Sequence, residues 1–436
     1  MPRVLAPYTH GILCQYAGGP QGQGWMTGLA QATTEGGPVQ PFRRQVFYIP
    51  GYDPFPPRRY RELYRTEAAA QAAISGYQIT MVPQRGGMGW GVNARIGGHG
   101  SEAQIDVLVW SDLVQGSMRQ GIAATYAQLV RTAWTYIASG ALFRLMRLRK
   151  GPMIAALYPV AVLVVQAVIA ILVVWAFARY GSRLLPGMGG ALASTAVGVI
   201  MGVALLHLFR RLDARVFAHY LMHDYAFTAQ AGGAYPAALE ARMTAFRATI
   251  RASLDETLDE VLVVGHSSGA HLAVSILADL TRAGLPPKRP ALGFLSLGQV
   301  IPMVSFLPRA TRLRADLALM AAQDDITWID VTAPGDGCAF ALCDPVAVTG
   351  LSPPDKRWPL VMSAAFTQTL SPDRWRALRW RFFRLHFQYL CAFDRPGDYD
   401  YFQITAGPVT LADRFGNRTA SKSRIETPLS GYRSVT

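Results

Sequence analysis

The chain has 436 residues, of which 51% are hydrophobic and only 16% are charged, and its formal net charge is +14. This apolar content exceeds that of an ordinary soluble enzyme and directs attention to membrane segments, while the basic balance suits nucleic acid or an anionic membrane surface. The four cysteines form no CxxC pair, which argues against a zinc ribbon or a redox dithiol and predicts reduced, buried thiols. They are Cys14, Cys338, Cys343 and Cys391.

The chain begins with a segment, residues 1–40, that is rich in Gly, Gln and Pro and is predicted to be irregular. It contains no apolar stretch followed by a small-residue cleavage site, so we expect no secretory signal. An α/β region, residues 41–150, is predicted next. It contains apolar runs at Gln45–Pro50, Tyr77–Val82 and Ile105–Trp110, and a helix at Arg58–Ser75.

Residues 151–211 are predicted to form a transmembrane hairpin. Met153–Ala178 and Gly187–Phe209 lack fixed charges, and each is long enough to cross the hydrocarbon of a bilayer. The flanks carry seven positive charges (Arg144, Arg147, Arg149, Lys150, Arg210, Arg211 and Arg215), whereas the linker carries only Arg179 and Arg183. The positive-inside rule therefore predicts a two-span membrane protein with both termini in the cytoplasm.

Small residues recur every four positions in the second apolar segment, and such a seam lets two helices approach closely. The seam serves either packing within the hairpin or homodimerisation. Its members are Gly190, Ser194, Gly198 and Gly202.

The second half of the chain, residues 212–413, again alternates helices and strands. A helix is predicted at Ala237–Leu258, and a buried parallel strand at Val261–Val264. Further strands are predicted at Leu292–Leu297 and Ile326–Thr332. This alternation on both sides of the hairpin predicts one α/β domain interrupted by a membrane insertion, followed by a disordered basic tail at residues 414–436.

Gly265-His-Ser-Ser-Gly269 matches the G-x-S-x-G pattern. A buried strand precedes it and an Ala/Leu-rich helix follows, which is the context of a nucleophile elbow with Ser267 as nucleophile. An ordinary Gly-rich turn between a strand and a helix is the alternative.

In this motif and in the order of its elements, the chain resembles lipase- and esterase-like members of the α/β-hydrolase superfamily. The resemblance implies a mostly parallel sheet with helices on both faces, here interrupted by the two-helix hairpin. It also implies an oxyanion hole formed by the amide of Ser268 and that of Gly51 or Tyr52. The chain lacks the HGGG form of the second donor loop, and Trp358–Met362 is only a short candidate for the strand between acid and base.

The resemblance further implies that an acid and then a histidine follow the nucleophile. Only His271 and His386 follow Ser267, and His271 lies on the elbow helix, so His386 is the expected base. Asp336 is preferred as the acid and Asp344 is the alternative. Asp330 is a poorer choice, because it lies inside a predicted strand.

These residues predict a serine hydrolase that cleaves a lipid-like carboxylic ester, without a metal or an organic cofactor. An arginine- and aromatic-rich stretch, residues 374–384, is interpreted as a helix on an anionic bilayer rather than as a nucleic-acid surface. His219 and His223, beside Asp224, are interpreted as a polar helix face rather than a metal site. The competing functions are a non-catalytic membrane adaptor and a small transporter subunit.

Overall fold

The computed structural model describes residues 40–83, 88–118, 121–184 and 187–436, so the segment before Gln40, including Cys14, lies outside the described residues. Eight described strands form one sheet in the order β2-β3-β4-β1-β5-β6-β7-β8. They are β1 (Phe42–Ile49), β2 (Gln78–Val82), β3 (Gly89–Ile96), β4 (His99–Val107), β5 (Glu260–His266), β6 (Ala291–Leu297), β7 (Ile326–Thr332) and β8 (Leu360–Ser363).

The helices that surround this sheet are α1 (Arg58–Ser75), α2 (Ser111–Met118), α3 (Ile122–Ala138), α4 (Ala141–Leu148), α5 (Lys150–Leu184), α6 (Met188–Arg211), α7 (Asp213–Val216), α8 (Ala218–Ala229), α9 (Ala237–Ser253), α10 (Gly269–Arg282), α11 (Ile301–Ser305), α12 (Thr311–Ala321), α13 (Pro345–Thr349), α14 (Phe366–Thr369), α15 (Pro372–Leu378), α16 (Phe382–His386), α17 (Tyr401–Ala406) and α18 (Leu411–Phe415). A short 3₁₀ turn covers Gln388–Leu390.

The sheet is mostly parallel. Strand β1 pairs in parallel with β4 on one side and with β5 on the other, and β5 to β8 continue in parallel. Only the pairs β2–β3 and β3–β4 are antiparallel. The predicted α/β class with a mostly parallel sheet is confirmed.

Both faces of the sheet are covered by helices. On β5, Val261 and Val263 pack with α9, α10 and α12, whereas Leu262 and Val264 pack on the opposite face with α1 and α17. Successive side chains of a strand point to opposite faces, so an unbroken β-branched run suits a strand buried on both sides. Each fully buried Val or Leu side chain contributes about 1.5–3 kcal/mol to stability.

One buried ion pair connects the two halves of the chain. Arg44 on β1 donates from Nε to Glu260 on β5 at 2.6 Å, and both side chains are 1% exposed. The same guanidinium donates to the carbonyl oxygens of Gly407 and Val409. The central strands β1 and β5 are thus connected by a side-chain ion pair as well as by their backbone hydrogen bonds.

Helices α5 and α6 are long and apolar enough to cross a membrane. Their outward surfaces carry large apolar side chains, including Ile171 (65% exposed) and Ile200 (67%). Helix α5 extends a few residues beyond the predicted segment at each end. Its first turn contacts the loop after β7, because Arg149 Nε donates to Ala341 O at 2.9 Å and a Cβ on Gly151 would lie 3.6 Å from Gly337 Cα.

The small-residue seam packs α6 against α5. A Cβ on Gly198 would lie 2.8 Å from Phe177 Cβ, and one on Gly202 would lie 3.2 Å from Ala170 O. Ser194 faces Gly181 in the same contact, and its hydroxyl donates to Gly190 O at 2.8 Å. The seam therefore serves the hairpin, and its use in a homodimer would require the two helices to separate.

Several segments differ from the sequence-based expectations. Helix α9 ends at Ser253, five residues before the predicted end. The stretch 374–384 is not one helix, because a turn at residues 379–381 separates α15 from α16. The aromatic residues of this stretch differ in exposure: Trp375 packs against Gly335, whereas Trp380 is 73% exposed.

The C-terminal segment 414–436 packs against the domain instead of forming the disordered tail that its composition predicted. Ile425 N donates to Leu342 O at 2.7 Å, and Asp344 N donates to Ile425 O at 3.0 Å. Arg314 Nε donates to Ser434 O at 2.6 Å. Long-range backbone hydrogen bonds order this segment, and such contacts cannot be predicted from its polar, basic composition.

Candidate active site

Ser267 lies in the sharp turn between β5 and α10. Its φ angle is +57°, a left-handed conformation that costs a residue with a Cβ roughly 1–2 kcal/mol. Ser267 N donates to Leu297 O at 2.9 Å, which ties the turn to the end of β6. The strand–turn–helix context that the sequence predicted is present.

The two glycines of the motif are sterically required. A Cβ on Gly265 would lie 2.8 Å from Ala270 Cα, and one on Gly269 would lie 2.2 Å from Ile49 O. These contacts let the first turn of α10 approach the ends of β1 and β5 closely. A side chain at either glycine would therefore push α10 away from the ends of β1 and β5.

His386, the last residue of α16, is hydrogen bonded to Asp336. The distance between His386 Nδ1 and Asp336 Oδ2 is 2.7 Å, and both side chains are buried. A carboxylate only accepts, so Nδ1 carries the proton and Nε2 is the basic nitrogen of the neutral ring. The structure thus brings together the predicted base and the preferred acid.

Asp336 receives two further hydrogen bonds. Tyr389 OH donates to Oδ2 at 3.1 Å, and Cys338 N donates to Oδ1 at 2.8 Å. Both carboxylate oxygens are therefore fixed, which in turn fixes the plane of the His386 ring. Tyr389 was not identified from the sequence, although it stands three residues after the predicted base.

His266, the residue between Gly265 and Ser267 in the motif, packs against His386 and hydrogen bonds to its backbone. Its Nε2 donates to His386 O at 3.0 Å, and the two ring centroids lie 4.9 Å apart. Burial, and then the nearby His386, lower the pKa of His266 to about 3, so this ring stays neutral. Sequence analysis missed this role, since it depends on a contact between residues far apart in the chain.

Gly298 makes room for the base at the end of β6. Its φ is +53°, and a Cβ there would lie 3.1 Å from His386 Cε1 and 2.7 Å from Tyr389 Cε2. A larger residue would displace the imidazole. This requirement was not predicted from the sequence.

The alternative acids lie elsewhere. Asp344 Oδ1 accepts from the amides of Val346 and Ala347 as the N-cap of α13, and its Oδ2 accepts from Lys356 Nζ at 2.6 Å. Asp330 is buried within β7, where burial raises its pKa to about 8 and Ser296 Oγ donates to it at 2.6 Å. Both aspartates have structural partners, and the hydrogen bond from His386 goes to Asp336.

The loop after β1 lies against Ser267. A Cβ on Gly51 would lie 2.9 Å from Ser267 Cβ and 3.4 Å from Ser267 Oγ. Tyr52 N donates to Ser268 Oγ at 2.8 Å, so one of the predicted oxyanion donors is engaged in this state. Tyr220 OH and Trp110 Nε1 hold the loop through the carbonyl oxygens of Tyr52 and Pro50.

A small, mainly apolar pocket opens beside Ser268. His271 on α10 forms part of its wall, where burial lowers the pKa of the imidazole to about 3. Asp224 on α8 is the one charged side chain in the described lining, and burial raises its pKa to about 7, while His386 acts in the opposite direction. The lining also includes Tyr52, Trp110, Phe227, Tyr235 and Ser268.

Asp336, Cys338 and His386 also form a set of metal-ligand types. Their ligand atoms lie within 4.8 Å of one another. Against a metal, His386 Nδ1 already binds the carboxylate, and burial raises the pKa of the Cys338 thiol, which disfavours the thiolate that a metal needs. The hydrogen bonds fit a histidine–carboxylate pair better than a metal centre.

Comparisons of the chain with protein-family models, curated proteins and solved structures give no match.

Proposed function

We propose that the chain is a membrane-anchored serine hydrolase of the α/β-hydrolase type that cleaves a lipid-like carboxylic ester. The hydrogen bond of 2.7 Å between His386 and Asp336 carries this proposal, since it occurs next to the strained Ser267 turn. The order nucleophile, acid, base along the chain is the one that the superfamily uses. A serine on a strand-to-helix elbow, here half-buried, and a buried, oriented imidazole are the two parts that acyl transfer requires.

In this mechanism Ser267 Oγ attacks the acyl carbonyl carbon while His386 Nε2 takes its proton. The negative charge on the carbonyl oxygen is stabilised by the Ser268 amide and by that of Gly51 or Tyr52. For the Tyr52 amide to contribute, the Ser268 hydroxyl must give way. His386 then protonates the departing alkoxide, and water, deprotonated by the same nitrogen, releases the acid from Ser267.

We propose a lipid-like substrate because the candidate site lies close to the apolar hairpin. The first turn of α5 contacts the loop that carries Asp336, so a membrane around the hairpin would lie close to the triad. Trp380 and Phe382, just before His386, are 73% and 45% exposed. Exposed aromatic side chains next to arginines suit the interfacial region of an anionic bilayer.

A fluorophosphonate probe tests the proposed function. We expect it to label the detergent-solubilised protein covalently, and mass spectrometry of the labelled peptide to identify Ser267. Heat-unfolded protein should remain unlabelled, because activation of the serine requires the folded site. Folded protein that takes up no probe would contradict the proposal and favour the membrane adaptor.

The charge asymmetry around the hairpin predicts that the catalytic domain faces the cytoplasm. In a variant without native cysteines, a cysteine at Met188, which is 82% exposed between the two apolar helices, should react with an impermeant maleimide in intact cells. A cysteine at the exposed Glu256 should react only after the cells are permeabilised. The reverse pattern would overturn the topology.

A further inference from the structure

The outer face of helix α3 is apolar and uncovered. Val130, Trp134 and Ile137 are 66%, 72% and 49% exposed, and their spacing along the chain places them on one side of the helix. The next helix, α4, adds Phe143, which is 59% exposed. Large apolar side chains that recur along one exposed helix face mark a surface that contacts a membrane or another protein.

This face lies beside the first half of α5. Near the start of α3, Tyr126 OH donates to Leu163 O at 3.1 Å. Near the end of α3, Tyr136 packs in the same apolar cluster as Met153. Helix α3 therefore runs antiparallel to the first turns of α5, on the side of the hairpin where the catalytic domain lies.

Helix α6 does not accompany this part of α5. A Cβ on Gly202 would lie 3.2 Å from Ala170 O, and α6 ends at Arg211, nine residues later, so its end lies opposite about residue 161 of α5. The apolar stretch of α5 nevertheless begins earlier, and Ile154 on it is 64% exposed. These first turns and the neighbouring α3 therefore lie just outside the pair of crossing helices, at the depth of the headgroup layer of a bilayer.

The charge of this region suits an anionic bilayer. No acidic residue occurs between Asp112 and Asp213, whereas ten Lys and Arg residues occur in that interval. Arg131 is exposed one turn before Trp134 on α3, and Arg147 is exposed on α4. Exposed tryptophan next to arginine is typical of the membrane interface, and a second copy of this surface would instead place cations against cations.

We propose that the outer face of α3 and α4 lies in the headgroup layer of an anionic bilayer. Trp134 and Phe143 are its apolar anchors, and Arg131 and Arg147 contact the anionic headgroups. This surface adds a second attachment to the hairpin and limits how far the catalytic domain can tilt away from the membrane. The inference rests on the membrane anchoring in the proposed function and does not depend on ester hydrolysis.

Depth measurements on the full chain test this surface. In a variant without native cysteines, a nitroxide is attached to a cysteine at Trp134, at Trp175 on α5 (55% exposed) or at Ile74 on α1 (44% exposed). The protein is placed in nanodiscs of phosphatidylcholine and phosphatidylglycerol. Because oxygen concentrates in hydrocarbon, we expect it to reach position 175 better than a water-soluble nickel complex does. The reverse should hold at position 74, and position 134 should give an intermediate ratio.

The three positions separate the possible outcomes. A ratio at position 134 equal to that at position 74 would overturn the surface and keep the hairpin. Protection of position 134 from both reagents would also overturn it, because a protein partner or a second copy would then cover this face. A water-like ratio at position 175 would refute the membrane anchoring itself, while labelling by the fluorophosphonate would still report on the hydrolase separately.

Quenching by brominated lipids requires no cysteine replacement and identifies the headgroup. The emission lost in Trp134→Phe defines the signal of Trp134, which brominated phosphatidylglycerol should quench more strongly than brominated phosphatidylcholine. Arg131→Gln should lower this preference about fivefold, the contribution of one cation near an anionic surface. Arg65→Gln is the matched control, since it removes an exposed arginine from α1 whose partner is Glu62, and it should leave the preference unchanged. Equal quenching by both lipids, or a preference that survives Arg131→Gln in full, would overturn the assignment.

Discussion

Replacing Ser267 with alanine is expected to reduce kcat for ester hydrolysis roughly 10⁶-fold, because the reaction then loses its nucleophile. Initial rates with 4-nitrophenyl butyrate in detergent measure this loss. Ser268→Ala is the matched control, since it removes a neighbouring hydroxyl that only accepts from Tyr52 N. A hydrogen bond of this kind stabilises its loop by about 0.5–1.5 kcal/mol, so Ser268→Ala should lose no more than roughly tenfold.

Ser267→Gly distinguishes the loss of the nucleophilic hydroxyl from the relief of backbone strain at this position. Alanine retains a Cβ at φ +57°, whereas glycine adopts this conformation freely. The glycine variant should be equally inactive but about 1 kcal/mol more stable to unfolding than the alanine variant. A substantial rate in either variant, or equal losses for Ser267→Ala and Ser268→Ala, would contradict the assignment of the nucleophile.

Asp336→Asn is expected to lower kcat roughly 10⁴-fold with little effect on KM. An asparagine can donate its amide N–H to Nδ1, which stabilises the tautomer that has the proton on Nε2 and cannot act as the base. Cys338 N can still donate to the amide oxygen, whereas Tyr389 loses its acceptor because the amide nitrogen takes the place of Oδ2. The fold should persist, as circular dichroism can check. Incubation with a chelator should leave the wild-type rate unchanged.

Asp344→Asn is the informative comparison, because it affects a different property. Asp344 caps α13 and binds Lys356, so its loss should lower the free energy of unfolding by about 1–3 kcal/mol while kcat stays near normal in folded protein. A near-normal rate for Asp336→Asn together with collapse for Asp344→Asn would reverse the assignment of the acid.

Local patterns were sufficient to predict the strands and helices with strong periodicity. The strand Val261–Val264 and the turn at Gly265 can be predicted from their own residues, because the apolar pattern and the backbone sterics that determine them act between neighbours in the chain. The predicted helix Arg58–Ser75 and strand Ile326–Thr332 match the observed bounds. Strand β3 was missed although Trp90, Val92, Ala94 and Ile96 alternate along it, because the glycines between them are typical of turns.

The supporting parts of the site could not be predicted, since they depend on contacts that the sequence does not display. His266 contacts His386 across 120 residues, and Tyr389 contacts Asp336 across 53 residues. Asp224 appeared in the sequence only as a neighbour of two histidines, and its place in the pocket wall follows from how α8 packs. Ser267, His386 and Asp336 could be proposed from the sequence because residue type and chain order alone limit the choices.

The pairing of β1 with β5 has a consequence for the order in which the protein can fold during synthesis. Arg44 leaves the ribosome 216 residues before Glu260, and both apolar helices are made in the interval. Until β5 arrives, one edge of β1 has no partner strand and the Arg44 guanidinium has no carboxylate, a state prone to misassociation. Synthesis of the two apolar helices therefore precedes completion of the sheet, and a fragment that ends before Glu260 lacks the strand that its most central element requires.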